Sequence, residues 1–351
     1  MKRALVTGIT GQDGGYLAKL LLDKNYKVFG TYRRLSTPNF WRLQYLGIFE
    51  KISLIPCDML DGYSIIEALK ISKPDEIYNL AAQSFVGASF EQPISSAEIS
   101  GLGLTRLLES VKVICPKSKI YQASTSELYG DNSHKQQNEE TIFEPSSPYA
   151  AAKLYAHWIC DIYKKSYNIF AANGILFNHE SPIRGLEFVT RKISNSVAKI
   201  KLGIDDKLVL GNVSAMRDWG FAPDYVEAMW MILQQDEPDN FVIATGKSHS
   251  VEDFLDAAFN IVDLDYKNYV EYDKKYQRPL DVNFLKGDAS KAKKILGWSP
   301  KTNFNELVEI MVSSDLQRWK MWKRGESFPW DAPNFLDDSK ILSRSSRLEL
   351  D

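Results

Sequence analysis

Residues 3–14 read RALVTGITGQDG. Arg3 to Thr7 is a short apolar run, the pattern of a strand buried on both faces. It stops at Gly8, and glycines recur at Gly11 and Gly14 in a GxxGxxG spacing. Directly behind them, residues 15–24 place Leu17, Leu20, Leu21 and Leu22 at helical intervals. A strand that turns through glycines into a helix brings backbone N–H groups to a pyrophosphate at the helix N-terminus. A small third residue lets helix and strand pack closely. The glycines alone would equally serve a plain strand–helix turn. Their position at the first βα junction is what favours a dinucleotide.

The same alternation continues along the chain. Strands are expected at 27–32, 51–58, 75–82, 119–125 and 169–177, with helices at 61–73, 103–115 and 149–166. Strands alternating with helices mean βαβ units and a parallel sheet. After residue 178 the pattern changes to long polar loops between helices at 188–202, 223–235 and 250–263. The fold class expected is therefore α/β: a Rossmann-type parallel sheet with a second, smaller mixed α/β substrate domain. The boundaries expected are 1–178 for the dinucleotide domain, with returning segments near 212–247. A largely substrate-binding, interleaved domain follows at 179–330, then a polar tail at 331–351.

Composition narrows the function. The chain has 351 residues, 44% hydrophobic, enough for a full core and too apolar for disorder. Its 43 basic and 45 acidic side chains give a net charge of −2, which does not support nucleic-acid binding by bulk charge. The three cysteines, Cys57, Cys115 and Cys160, are far apart and form no CxxC pair. Neither a disulfide framework nor a thiolate metal site is expected. Four isolated histidines likewise argue against a metal. No run approaches the roughly 18 apolar residues of a membrane span, and a soluble, cytoplasmic protein is expected.

The second strand ends in Tyr32-Arg33-Arg34, where an acidic residue would mark a free ribose. Two guanidiniums suit a 2′-phosphate, so NADP is expected, although a solvated surface pair would look the same. Gly8, Thr10, Gly11, Gln12, Asp13 and Gly14 line the turn. Asp58 ends the third strand, followed by Met59. Leu80, Ala81, Ala82 and Ser84 follow the fourth strand, where the cofactor would pass.

Tyr149 and Lys153 form YxxxK on one helix face. An ammonium beside a phenol favours phenolate, a proton acceptor for a hydroxyl being oxidised. YxxxK arises often by chance. More telling is Ser124-Thr125-Ser126-Glu127 at the end of a parallel strand, the usual ligand edge. A hydroxyl there can hold a substrate hydroxyl. A carboxylate beside it permits elimination after oxidation, although it would also serve as a turn cap.

These residues sit in longer runs: TGITGQDG (7–14), NLAAQSFV (79–86), QASTSELYG (122–130), SPYAAAKLYAHW (147–158), NGILFNHESP (173–182), FVTRKI (188–193), RDWGFAPDYV (217–226) and FVIATG (241–246). With them the chain resembles the GDP-mannose 4,6-dehydratases of the extended short-chain dehydrogenase/reductases, from residue 3 to about residue 300. The resemblance implies Thr125, Glu127, Tyr149 and Lys153 as catalytic residues. It adds Tyr149, Lys153, His179 and Arg184 to the cofactor site. It places Ser84, Asn178, Glu180, Val189, Lys192, Gly211, Arg217, Arg278 and Asp281 around the sugar nucleotide, with Lys192, Arg217 and Arg278 on the diphosphate. His179 reads better as a packed, hydrogen-bonded side chain than as a proton shuttle. The implied reaction turns GDP-mannose into GDP-4-keto-6-deoxymannose and water, with a homodimer or homotetramer as the assembly.

Three departures from the family pattern stand out. The segment after Arg33-Arg34 is short where the family meets a neighbouring subunit, which favours the dimer. Asp281 replaces a common glutamate, and Ile183 a common arginine. They leave GDP-manno-heptose open as the substrate. A nucleotide-sugar reductase or epimerase needs no carboxylate at position 127, and a cofactor-bound scaffold protein needs none of the four catalytic residues.

Overall fold

The computed structural model describes residues 1–36, 39–131, 136–273, 280 and 282–326. The segment 275–281, apart from Leu280, and the tail 331–351 lie outside them. Strands β1 (Arg3–Thr7), β2 (Lys27–Tyr32), β3 (Ser53–Pro56), β4 (Glu76–Asn79), β5 (Lys119–Ala123) and β6 (Ala171–Leu176) join Phe241–Ile243 in one sheet. The order is Phe241–Ile243, β6, β5, β4, β1, β2, β3, and every pair is parallel. Chain order reverses between β1 and β4, so their carboxyl ends flank a crevice of the kind that binds ligands in such sheets.

The glycine turn is built as its spacing demands. Gly8 has φ +67°, and helix α1 (Gln12–Asp23) starts directly after Gly11. That start lies three residues earlier than apolar periodicity alone places it, because the leucines mark only the buried stripe. A Cβ on Gly14 would lie 2.5 Å from the Gly8 carbonyl oxygen and 2.7 Å from the Ile9 Cα. Only glycine lets the helix sit this close to the strand.

Helices cover both faces of the sheet. One apolar cluster joins Val6, Leu17, Leu21, Val28 and Tyr225, and another joins Leu5, Ile77, Leu104, Leu108 and Cys160. The long helix Pro148–Tyr167 is set by Pro148 at its first turn and by Ser147, whose hydroxyl accepts from the Ala150 N–H at 3.1 Å. It ends at Asn168, φ 53°.

Helices Val189–Lys201, Val251–Asn260 and Phe304–Lys323 pack around a separate core of Ile193, Val197, Phe254 and Met311. The last of these was not expected from the sequence. It carries Asp315, fully buried and bonded by Arg191, Arg318 and Ser194. Also unexpected are the short helices Trp41–Tyr45, Val86–Glu91 and Pro93–Ser96 and the π-helical turn Ala97–Leu102. Small two-stranded ribbons pair Trp219–Phe221 with Asn178–Glu180 and His249–Ser250 with Met216–Arg217. Among the described residues, no helix is long and apolar enough to cross a membrane.

Candidate active site

The carboxyl ends of β1, β4 and β5 are tied by one buried chain of hydrogen bonds. The Thr7 hydroxyl donates to Asn79 Oδ1 at 2.7 Å, and Asn79 Nδ2 donates to Gln122 Oε1 at 2.7 Å. Gln122 Nε2 then donates to the Ala123 carbonyl at 2.9 Å, which also accepts from Lys153 Nζ at 2.8 Å. Thr7 Oγ1 accepts in turn from the Leu80 and Ala81 N–H groups, both at 3.1 Å. A Cβ on Gly8 would lie 3.0 Å from Ala81 N. Gly8, Leu80 and Ala81 therefore meet at the crevice, with the half-buried Ala82 next and Ser84 exposed beyond.

Thr125 follows β5 and caps the turn Ser126–Tyr129, its hydroxyl accepting from the Glu127 N–H at 3.2 Å. Thr125 and Glu127 are each 8% exposed. Tyr149 is as buried, and burial raises its phenol far above the usual value. The Thr125 hydroxyl, hydrogen-bonded to it, opposes that shift, and the Glu127 charge adds to it. Lys153 lies one turn further, with Nζ 5.9 Å from the Tyr149 ring centre. Burial lowers its ammonium to about 8, against a smaller upward pull from Asp13. The four expected catalytic residues thus come together on one strand end and one helix face. The expected fall in the phenol's pKa is outweighed by burial in the protein alone.

His157 was not singled out by the sequence. One turn beyond Lys153, its Nδ1 lies 3.3 Å from the hydroxyl of Ser124, beside Thr125. Only its spacing of four from Lys153 could have marked it.

On the other side of the crevice, His179 Nε2 lies 2.8 Å from Asp13 Oδ2, and His179 Nδ1 lies 2.7 Å from the Phe177 carbonyl. Both ring nitrogens face oxygen acceptors, so both carry protons. Burial alone would lower the imidazole, but Asp13 raises it. Burial alone would raise Asp13, but the His179 charge and the Gln12 amide hold it at about 2. Gln12 Nε2 donates to the His179 carbonyl at 3.1 Å, and its Oε1 accepts from the Ser181 hydroxyl at 2.7 Å. The Gly11 N-cap has no side-chain cap, which leaves the N-terminus of α1 open to an anion. The Thr10 carbonyl accepts from Arg42 Nη1 at 3.2 Å. These features fit a dinucleotide pyrophosphate.

Other expected contacts divide. Asn178 carries a buried side-chain oxygen with no hydrogen-bond partner among the described residues, as a substrate-facing amide would. Arg217, 7% exposed, lies on the ribbon opposite His249. Val189 opens its helix, and Gly211 directly follows the strand Leu208–Leu210. Lys192 donates to the Val209 carbonyl at 2.7 Å. Glu180, 2% exposed, already accepts from Thr190 at 2.6 Å and pairs with Arg184 at 3.2 Å. Both contacts are made by Oε2. Met59 packs in the core beneath helix Gly103–Ile114. Asp58 Oδ1 accepts from the Leu60 N–H at 3.0 Å. Arg278 and Asp281 lie outside the described residues. No group of three or more His, Cys, Asp or Glu suited to a metal occurs among the described residues.

A parallel sheet with a glycine turn at its switch point and a Tyr–Lys pair facing a strand-end hydroxyl defines a member of the extended short-chain dehydrogenase/reductases. The fold agrees with solved structures. One is a dTDP-glucose 4,6-dehydratase from Bacillus anthracis with NAD, TM-score 0.80, 22% identical, covering 92% of this chain and 99% of that one. Another is a UDP-glucose 4-epimerase from Thermus thermophilus with NAD, TM-score 0.79, 24% identical, covering 89% and 98%. The GDP-mannose 4,6 dehydratase family model matches residues 5–311. GDP-mannose 4,6 dehydratase 1 of Arabidopsis thaliana is 50% identical, covering 92% of each chain. The Homo sapiens GDP-mannose 4,6 dehydratase is 49% identical, covering 90% of this chain and 91% of its own. The chain belongs to the GDP-mannose 4,6-dehydratase family.

One expectation is corrected. NADP was read from Arg33 and Arg34, but the solved structures with this fold that name a dinucleotide mostly carry NAD. The physical reason lies in the pair itself. Both arginines are exposed past the end of β2, and among the described residues neither has a hydrogen bond or ion pair. They read as solvated surface charges.

Proposed function

We propose that the protein converts GDP-mannose to GDP-4-keto-6-deoxymannose and water, with a nicotinamide dinucleotide in the crevice; NAD is the form named for most of the solved neighbours that name a dinucleotide. The observation that supports this reading best is the buried triad of hydroxyl, carboxylate and phenol, Thr125, Glu127 and Tyr149, on a family-matched chain. A simple oxidation needs only the hydroxyl and the phenol. The carboxylate adds a base for elimination.

A nicotinamide dinucleotide held in the crevice by the Gly8–Gly14 turn would supply the hydride acceptor and donor for the chemistry at C4 and C6. Tyr149 accepts the C4 hydroxyl proton at its phenol oxygen, with Thr125 holding the same hydroxyl. Lys153 supplies the positive charge that makes a buried phenolate affordable. The C4 ketone acidifies the C5 hydrogen, and Glu127 removes that proton. Glu127 hands that proton to the C6 hydroxyl, which leaves as water, and once C6 is reduced Tyr149 returns its proton to C5. Burial of all four groups excludes bulk water from the ketone.

Around the sugar nucleotide, we assign Asn178 to the sugar and Arg217, with Arg278 and Lys192, to the diphosphate. Arginine's planar fork suits a diphosphate. We further propose a homodimer. Tyr155, Trp158 and Ile162 are 40%, 50% and 49% exposed at helical spacing on Pro148–Tyr167, a face that a second copy would cover. The three thiols are free, in keeping with a cytoplasmic setting.

The test is mass spectrometry of the products formed from GDP-mannose and from GDP-manno-heptose, offered separately. Loss of one water from GDP-mannose at the higher kcat/KM supports the reading. Preference for the heptose, or oxidation without loss of water, overturns it. Identifying the dinucleotide released on denaturation checks the cofactor.

A further inference from the structure

Asp218 is fully buried and accepts four hydrogen bonds. Its Oδ1 accepts from the Thr245 N–H at 2.9 Å and the Thr245 hydroxyl at 2.6 Å. Its Oδ2 accepts from the Gly246 N–H at 2.9 Å and the Gly287 N–H at 3.2 Å. It neighbours no basic side chain in these bonds. A buried carboxylate held only by neutral donors costs desolvation energy, and burial raises its pKa against the pull of those four donors. Its four bonds tie separate segments of the chain together.

What it holds is the bed of Arg217. Met216 and Arg217 form the middle of a ribbon. On one side they pair with Ser250 and His249. On the other, the Met216 N–H donates to the Asn283 carbonyl at 2.8 Å, and the Leu285 N–H donates to the Met216 carbonyl at 3.1 Å. Thr245 and Gly246 lead into the first flank, and Gly287 leaves the second. One carboxylate therefore clamps both flanks to the residue after Arg217. The packing leaves no slack, since a Cβ on Gly287 would lie 2.2 Å from the Ala244 Cβ. Successive residues of an extended segment project to opposite sides, so a fixed Asp218 sets where Arg217 points.

We infer that Asp218 is a positioning residue for sugar-nucleotide binding, fixing the ribbon that presents Arg217 to the substrate diphosphate. The inference rests on the assignment of Arg217 to the diphosphate made above.

The experiment compares Asp218→Asn, Thr245→Val, Arg217→Ala and the double variant Arg217→Ala/Asp218→Asn in the full-length protein. Readouts are KM for GDP-mannose, kcat, bound dinucleotide and Tm. In Asp218→Asn the new amide turns its nitrogen on the Gly246 and Gly287 donors, so the clamp opens. KM should rise roughly ten-fold, with kcat and dinucleotide content kept. Thr245→Val, which loses one hydroxyl donor, should raise KM by less. Adding Asp218→Asn to Arg217→Ala should change KM little, because the two act through one contact. Asp224→Asn is the matched control: that buried carboxylate accepts from the Lys301 and Thr302 N–H groups, both at 2.9 Å. It should lower Tm without raising KM. A lowered Tm with wild-type KM in Asp218→Asn and Thr245→Val would reduce Asp218 to a structural role and overturn the inference. If Asp218→Asn does not fold, an unchanged KM in Thr245→Val overturns it equally. An unchanged KM in Arg217→Ala would remove the diphosphate assignment first, and the inference with it.

Discussion

The Lys153 ammonium and the Gln122 amide share one acceptor, the Ala123 carbonyl, at 2.8 and 2.9 Å. The lysine is thereby moored to the strand end that carries Thr125, not to the phenol it serves. Burial lowers its pKa to about 8 from the usual 10.5. Its positive charge, needed to sustain a Tyr149 phenolate, is present below that value and lost above it. The kcat/KM profile should therefore fall on the alkaline side of about pH 8. Lys153→Arg stays charged throughout and should shift or abolish that limb. An unchanged alkaline limb in the variant would remove Lys153 from this role.

Glu127→Gln removes a base while keeping shape and the Thr125 turn bond to the residue's own N–H. The expected loss in kcat is roughly 10²–10⁴-fold, with dinucleotide content unchanged. In deuterated water the wild-type product should carry solvent deuterium at C5, and the variant should not wash label into recovered substrate. Wild-type turnover in the variant would end the elimination role.

The sheet was legible because each strand is a short apolar run bounded by turn residues, and the crevice followed from the glycines between β1 and α1. Tyr149, Lys153, Thr125 and Glu127 were legible because strand-end and helix spacings place them. The helix Phe304–Lys323 was not, because its inward face carries Asp315 and Arg318, charges that interrupt the apolar stripe and are buried only by finding each other and Arg191. Asp218 gave no signal either: its four donors come from segments 27 to 69 residues away. Arg33-Arg34 misled because a phosphate fork and a solvated pair share one sequence, and only fixed geometry separates them.

The His179–Asp13 pair gives a pH dependence of stability. The His179 pKa is raised above the usual 6.5, so its contribution is full below 6.5 and is lost as pH rises through the folded value. The Asp13 pKa is lowered from 3.8 to about 2, so its contribution is full above 3.8 and is lost as pH falls toward 2. The pair therefore stabilises most between 3.8 and 6.5. Between about pH 5 and pH 9, the Tm of the wild type relative to His179→Asn should decline. Parallel curves would show that the ring is not charged in the fold.

Gly14→Ala sets a methyl group 2.5 Å from the Gly8 oxygen and 2.7 Å from the Ile9 Cα, both backbone atoms with no side-chain freedom. The turn must move, at a cost of about 1–3 kcal/mol, and dinucleotide retention should fall with it. At Gly11 the nearest atom to an added Cβ is 3.3 Å away, so Gly11→Ala should cost less stability. Thermal unfolding and the dinucleotide released on denaturation check both; equal effects at the two positions would contradict the close-packing account.

Asp315→Asn leaves two buried guanidiniums facing an uncharged amide. Arg191 Nε reaches both carboxylate oxygens at 3.1 and 3.0 Å, the Ser194 hydroxyl donates at 2.6 Å, and Arg318 Nη1 donates at 3.1 Å. Removing one partner of a buried ion cluster costs about 3–5 kcal/mol, because the remaining charges stay desolvated. Replacing all the partners by apolar side chains of similar volume is close to neutral. Urea unfolding of Asp315→Asn should show that loss as a lower midpoint at unchanged slope. Replacing Arg191, Asp315 and Arg318 together by Met, Leu and Met should recover most of it. If the triple variant is no more stable than the single one, the cluster is held by packing geometry specific to its ions, and the helix Phe304–Lys323 needs those charges to dock.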